Sequence, residues 1–125
     1  MRDNWESGTT TPFTAAVSLT QALMKALDMM LGEGLDELHA RHARLAEATR
    51  QAMKALGLDL VADNPANGVT AVRAPEDIDT GAMTKKMRDE YGISFAGGQA
   101  HLKGKIFRVG HMGYVSEDDL LMAIS

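Results

Sequence analysis

The sequence predicts an α+β fold in which two long N-terminal helices precede a small mixed β-sheet with flanking helices. Three observations lead to this class. Apolar residues recur at helical spacing through two long stretches before residue 57. Short apolar runs separated by turn-rich loops then follow, which is typical of strands. Near the end, a serine followed by three acidic residues indicates the start of one more helix.

The first helix is predicted from about Thr14 to Leu31. Pro12 and Thr14 open it, because proline suits the start of a helix and a threonine hydroxyl can cap one. Glycines at positions 32 and 34 end it. Its apolar side is formed by Leu19, Leu23, Leu27, Met30 and Leu31.

The second helix is predicted from about Leu35 to Leu56, with Gly57 as its C-cap. Its apolar positions alternate in steps of three and four, which gives one narrow stripe along the helix. The arginines at positions 41, 44 and 50 are predicted to lie on the solvent side. The stripe consists of Leu35, Leu38, His42, Leu45, Thr49, Ala52 and Leu56.

After the second helix, the pattern indicates short strands and shorter helices. Asp79 can cap a helix of about Thr80 to Glu90, and Ser116 can cap a last helix from Glu117 to Ser125. A loop rich in turn residues, 63–68, joins the first two strands. The predicted strands are Leu58 to Ala62, Val69 to Arg73, Ile93 to Ala96 and Lys105 to Val109.

Composition excludes several classes of function. A chain of 125 residues is long enough to bury one core. The net charge of −4 and the pI near 5.5 argue against nucleic acid or an anionic membrane as a partner. Without cysteine there is no disulfide, thiolate nucleophile or Cys-based metal site. No apolar run could span a bilayer and the N-terminus does not resemble a secretory signal, which predicts a cytoplasmic protein.

One segment, residues 97–113, combines features of a ligand-binding loop and a strand. Gly97 and Gly98 lead through a short polar loop into an apolar run that Arg108 interrupts. Glycines let a backbone approach a ligand closely, and an arginine beside them can hold a carboxylate through two parallel hydrogen bonds. The residues alone leave open the commoner interpretation, an edge-strand arginine with its head in water.

This segment resembles the C-terminal part of class V pyridoxal-phosphate-dependent aminotransferases, most of all the alanine–glyoxylate and serine–pyruvate branch. The shared pattern is Gly-Gly, a gap, and then Gly-Lys-apolar-apolar-Arg-apolar-Gly. A second matching stretch is Thr11 to Leu19, where Ala15 stands in place of the family's usual proline. Glu33-Gly34-Leu35 and residues 41–46 also match, so the resemblance covers the chain from about Thr10 onward.

The resemblance implies the small domain of a fold-type I pyridoxal-phosphate enzyme over residues 11–125, with a truncated last helix, after a polar leader or severed linker at 1–10. Such an enzyme is a homodimer that moves an amino group between a small amino acid and a 2-oxo acid such as glyoxylate or pyruvate. Arg108 matches the arginine that binds the substrate carboxylate, and Gly97 and Gly98 shape its approach. Thr14 and Thr11 match positions that reach the cofactor phosphate of the neighbouring subunit.

None of the lysines matches the lysine that forms the family's Schiff base with pyridoxal phosphate. The isolated chain is therefore expected to be inactive, to contain no catalytic residue and to bind no cofactor by itself. Removal from a large domain would also leave an apolar face exposed between Thr11 and Leu31. The lysines are Lys25, Lys54, Lys85, Lys86, Lys103 and Lys105.

An alternative comes from the second half of the chain, whose order of strand, helix, strand, strand and helix also fits a freestanding ferredoxin-like module for a small molecule or partner. The histidines add little to either hypothesis. His39 and His42 lack a third ligand and predict no metal site, while His101 and His111 flank Arg108 without a partner acid. Tyr114 is predicted to pack.

Overall fold

The computed structural model describes residues 14–125, and this part of the chain has four α-helices, one 3-10 helix and three strands. The α+β class is thereby confirmed. Residue contacts divide the chain into two compact units, one up to Leu38 and one from His39 onward. In chain order the elements are α1 (Val17–Glu33), α2 (Leu35–Ala55), β1 (Val69–Arg73), α3 (Thr80–Tyr91), β2 (Ala96–Gly97), the 3-10 helix (Ala100–Leu102), β3 (Ile106–Gly110) and α4 (Glu117–Ile124).

The first unit contains α1, which begins later than predicted. Its N-cap is Ala16, which makes no side-chain capping bond, so Thr14 is not the cap that the sequence predicted. Not one of the 17 residues of α1 is buried. The five side chains of its predicted apolar side are between 37% and 70% exposed. An apolar face on the first helix was expected, and it is open in this structure.

The second unit is built on a three-stranded sheet in which β3 is the central strand and the order is β1–β3–β2. Both neighbours run antiparallel to β3, so the prediction of a mixed sheet is wrong. The predicted strand at 58–62 makes only an isolated bridge between Leu60 and Val72. The predicted strand at 93–96 shrinks to Ala96–Gly97.

The core lies on one face of this sheet, against side chains from α2 and α4. Phe107 and Val109 of β3 belong to it, and Phe95 packs against the Phe107 ring with centroids 5.8 Å apart. Since successive side chains of a strand point to opposite faces, Arg108 lies on the face away from the core. The remaining buried members are Leu45, Met53, Val72 and Leu120.

The two shorter helices begin where their capping residues predicted. The Asp79 carboxylate accepts hydrogen bonds from the backbone N–H groups of Gly81 and Ala82 at 2.8 and 3.1 Å, which starts α3. Ser116 and Asp119 form a reciprocal capping box at the start of α4. Among the helices between residues 14 and 125, none combines the length and the apolar composition needed to cross a bilayer.

Candidate functional site

Arg108 lies at the centre of the sheet, so the edge-strand interpretation is wrong. It is half-buried, and its Nε donates a hydrogen bond to the Gly97 carbonyl oxygen at 3.1 Å. This is its one hydrogen bond to residues 14–125, so both Nη groups remain available there. Two Nη groups present parallel donors in the spacing that a carboxylate accepts. Arg108 can therefore bind a carboxylate through the end of its guanidinium.

Small residues flank this arginine on both neighbouring strands. Ala71 of β1 pairs with Arg108 on one side, and Ala96 of β2 pairs with it on the other. Directly paired residues of an antiparallel sheet project from the same face. Two methyl groups therefore flank the stem of Arg108, where longer side chains would occupy the space beside it.

The two glycines predicted to shape the site act through the backbone. Gly97 supplies the carbonyl that holds Arg108, and the position where its Cβ would lie is open. Gly98 is crowded: a Cβ there would lie 2.1 Å from the Leu102 carbonyl oxygen and 2.9 Å from Ile106 Cγ1. Its N–H also donates to the Ile106 carbonyl at 3.1 Å. Gly98 lets the 3-10 helix fold back against the start of β3.

Of the two threonines predicted to contact the cofactor phosphate, the structure describes only one. Thr14 is exposed and lies three residues before the first residue of α1. Thr11 lies outside the described residues. Both roles stay predictions.

All six lysines are exposed, which bears on the cofactor. Lys85 pairs with Asp89 and Lys86 with Glu90 on the surface of α3. A lysine that attacks a carbonyl group needs a lowered pKa, which proteins obtain by burial or a nearby cation. None of the six lysines is buried. The described residues therefore do not fit a complete pyridoxal-phosphate site.

His111 is fully buried behind the strand that carries Arg108. Its Nδ1 lies 2.9 Å from the Asn67 carbonyl oxygen and its Nε2 lies 2.9 Å from Thr70 Oγ1. A carbonyl only accepts, so Nδ1 carries the hydrogen, and the neutral ring accepts at Nε2 from the threonine hydroxyl. Burial lowers the pKa of His111, and the positive charge of Arg50 adds to that lowering. His111 therefore holds the fold and does not face an open site.

Two arginines of α2 have roles that the sequence did not predict. Arg50 Nη2 donates to the carbonyls of Pro65 and Ala66 at 3.1 and 3.0 Å and to Asn67 Oδ1 at 3.0 Å. Arg41 Nη1 donates to the carbonyls of Gly113 and Val115 at 3.1 and 3.2 Å. Both were predicted to lie on the solvent side of the helix. That prediction is wrong, because both donate hydrogen bonds to carbonyl oxygens of loops.

Three other predictions about single side chains have clear outcomes. Arg44 is 58% exposed, as expected for the solvent side of α2. Tyr114 is 86% exposed, so the prediction that it packs is wrong. His101 is exposed on the 3-10 helix. Within residues 14–125 there is no group of three His, Asp or Glu side chains arranged to hold a metal ion.

The chain is similar in sequence and in structure to segments of known proteins. No protein-family model matches the sequence. The chain is 48% identical over 117 residues to the small subunit of a soluble hydrogenase from Synechococcus sp., covering 93% of this chain and 30% of that protein. It is 42% identical over 109 residues to the serine–glyoxylate aminotransferase of Hyphomicrobium methylovorum, covering 85% of this chain and 27% of that protein. The alanine–glyoxylate aminotransferase structure from Nostoc sp. superposes with a TM-score of 0.87 at 29% identity, covering 97% and 33%.

The α+β small domain matches that of its aminotransferase structural neighbours. The sequence relatives and structural neighbours are class V aminotransferases, which are pyridoxal-phosphate enzymes. It spans about a third of the length of the proteins it matches, which fits a C-terminal domain. The resemblance carried by the glycine–arginine segment is thereby confirmed.

Proposed function

We propose that this chain is the C-terminal domain, residues 11–125, of an aminotransferase that moves an amino group between a small amino acid and a 2-oxo acid such as glyoxylate or pyruvate. The observation that carries the proposal is Arg108, whose Nε is bonded to Gly97 and whose Nη groups make no hydrogen bond within residues 14–125. The serine–glyoxylate and alanine–glyoxylate activities in the relatives' names agree with a small carboxylate as substrate. The enzyme is proposed to be a cytoplasmic homodimer.

In this proposal the residues of the chain bind and orient the substrate. Arg108 holds its α-carboxylate end-on through the two Nη groups, and the loop at Gly97 and Gly98 fixes the direction of the guanidinium. Thr14 and Thr11 contribute to holding the cofactor phosphate of the partner subunit. Pyridoxal phosphate supplies the electron sink for such reactions, and the rest of the protein would hold it. The chain alone is proposed to be inactive.

Two other functions receive no support from the described residues. One relative is named as a hydrogenase subunit, but the chain has no cysteine and residues 14–125 show no metal-binding group of side chains. A ferredoxin-like module requires a four-stranded βαββαβ arrangement. The sheet between residues 14 and 125 has three strands, with β3 between β1 and β2.

A chimera tests the proposal. This chain would replace the matching segment of the Hyphomicrobium methylovorum enzyme, and transamination of serine with glyoxylate would be measured. We expect activity in the chimera and a roughly ten- to hundredfold lower kcat/KM with Arg108→Lys, since lysine keeps the charge but loses the two parallel donors. Arg73→Lys is the control, because Arg73 is exposed on the same face of the sheet.

The chimera's cofactor content and thermal unfolding show whether it has folded. A folded, cofactor-loaded chimera without transamination would contradict the proposal. So would an Arg108→Lys variant as active as its parent with serine and with other small amino donors.

A further inference from the structure

The two alanines that pair with Arg108 form an arrangement that no sequence motif identified. Ala71 and Ala96 are on different strands, 25 positions apart in the sequence, and only the sheet register brings both beside Arg108. Paired Cβ atoms in an antiparallel sheet lie about 4.5–5.5 Å apart. At that distance a branched side chain such as valine would contact the stem of the arginine.

The two sides of Arg108 differ. Its Nε bonds to the Gly97 carbonyl of β2, so the arginine side chain leans over the strand that carries Ala96. Ala96 is exposed, and its methyl group leaves the path to that carbonyl clear. Ala71 is on the β1 side, where it places only a methyl group beside the arginine.

We propose that Ala71 and Ala96 are positioning residues for Arg108. Ala96 allows the guanidinium to reach the Gly97 carbonyl, and Ala71 leaves the room in which a small carboxylate meets the two Nη groups. The identity of the ligand rests on the proposed function, whereas the effect of Ala96 on Arg108 does not. Valine tests both positions, because it suits a strand and fills the space beside Arg108.

The experiment uses NMR spectroscopy of this chain. The Arg108 Nε–Hε resonance reports its hydrogen bond to Gly97 through the rate of exchange with solvent. The ligand probe is sodium acetate, titrated against sodium chloride at equal ionic strength. Arg73 is exposed on the same face of the sheet, and its Nε–Hε resonance shows how an arginine without the two flanking alanines responds to acetate. The variants are Ala96→Val and Ala71→Val, with Ala96→Ser and Ala71→Ser as controls of nearly unchanged size.

We expect Ala96→Val to speed exchange of the Arg108 Hε at least about fivefold, as loss of a hydrogen bond to a charged group predicts. We expect Ala71→Val to leave that exchange unchanged but to reduce the acetate response of Arg108 to that of Arg73. Both serine variants should behave as the wild type. Backbone amide spectra confirm the fold, and Ala96→Thr or Ala71→Thr replaces any valine variant that does not fold.

Unchanged exchange in Ala96→Val, or an undiminished acetate response in Ala71→Val, would overturn the assignment of that residue. A different failure identifies an error in the proposed function. If wild-type Arg108 responds to acetate no more than Arg73, the carboxylate role of Arg108 and the role of Ala71 are wrong. The exchange measurement on Ala96→Val still decides the role of Ala96.

Discussion

At the scale of single residues, His111 shows that a titratable side chain close in sequence to Arg108 can be buried away from the candidate site. It follows β3 directly, three residues after Arg108, yet its ring lies in the interior between Asn67 and Thr70. In the neutral ring Nδ1–H donates to the Asn67 carbonyl and Nε2 accepts from the Thr70 hydroxyl, and burial disfavours the charged, protonated ring. Protonating His111 therefore lowers the stability of the folded chain.

This gives a pH dependence whose sign can be stated. The pKa of His111 in the folded chain is lowered from its ordinary value of 6.5. As pH falls through about 6.5, the unfolded chain takes up a proton at this position before the folded chain does. The contribution to stability is therefore complete above that pH and declines as pH falls, until the folded His111 is also protonated.

We expect the free energy of unfolding in urea to fall as pH is lowered from about 8 to about 5. His111→Gln, which cannot titrate, should show a shallower dependence over the same range. An NMR titration measures the pKa of His111 directly, in the folded chain and in concentrated urea. A folded pKa at or above the urea value would contradict the prediction.

The adjacent glycines Gly97 and Gly98 give a matched pair of substitutions. Gly98→Ala places a methyl group 2.1 Å from the Leu102 carbonyl oxygen, so the 3-10 helix must move. We expect it to lower the free energy of unfolding by about 1–3 kcal/mol. Gly97→Ala meets open space and should change that energy by less than about 0.5 kcal/mol. Urea unfolding measures both, and equal effects would show that the close approach at Gly98 is not required.

At the scale of secondary structure, elements with local signals were predictable and elements that depend on distant partners were not. Helices α3 and α4 begin directly after Asp79 and Ser116 because each cap acts within three residues of itself. The predicted strand at 58–62 has the right composition, but only Leu60 finds a bridge partner on β1. Whether this segment forms a full strand depends on its pairing with residues of β1, which are distant in sequence.

The same distinction applies to the candidate site. The pattern of glycines and one arginine identified Arg108 and its loop, because those residues are close in sequence. The central position of β3 and the flanking alanines come from the sheet register. The loop contacts of Arg41 and Arg50 span 15 to 74 positions. Helical periodicity placed both arginines in solvent, since it contains no information about such contacts.

The capping box of α4 leads to a prediction at this scale. Ser116 Oγ accepts a hydrogen bond from the Asp119 N–H at 3.1 Å, while the Asp119 carboxylate accepts one from the Ser116 N–H at 2.8 Å. We expect Ser116→Ala to lower the free energy of unfolding by about 1 kcal/mol. Ser94→Ala, an exposed serine outside any helix, is the control. Equal values for the two variants in urea unfolding would show that the box does not stabilise α4.

At the scale of the whole molecule, α1 is the feature that a self-contained protein would not be expected to show. Leu19, Leu23 and Leu31 are 70%, 57% and 70% exposed, and Met24 is 61% exposed. Exposed apolar surface of this extent on one helix marks a surface for another protein or domain. The chain matches about a third of each relative, so in those proteins further residues are available to cover such a surface.

The isolated chain should therefore associate with itself through α1. Eight apolar side chains of α1, from Val17 to Leu31, are between 37% and 70% exposed, and at roughly 100 Å² each they offer about the 800 Å² per partner of a stable interface. Sedimentation equilibrium at micromolar concentration should give a mass above the monomer's 13.5 kDa. The double variant Leu23→Gln, Leu27→Gln should restore the monomer, because it makes the middle of the face polar. Leu121→Gln, equally exposed on α4 at 65%, should not. A wild-type chain that sediments as a monomer and binds no hydrophobic dye would show that α1 needs no partner.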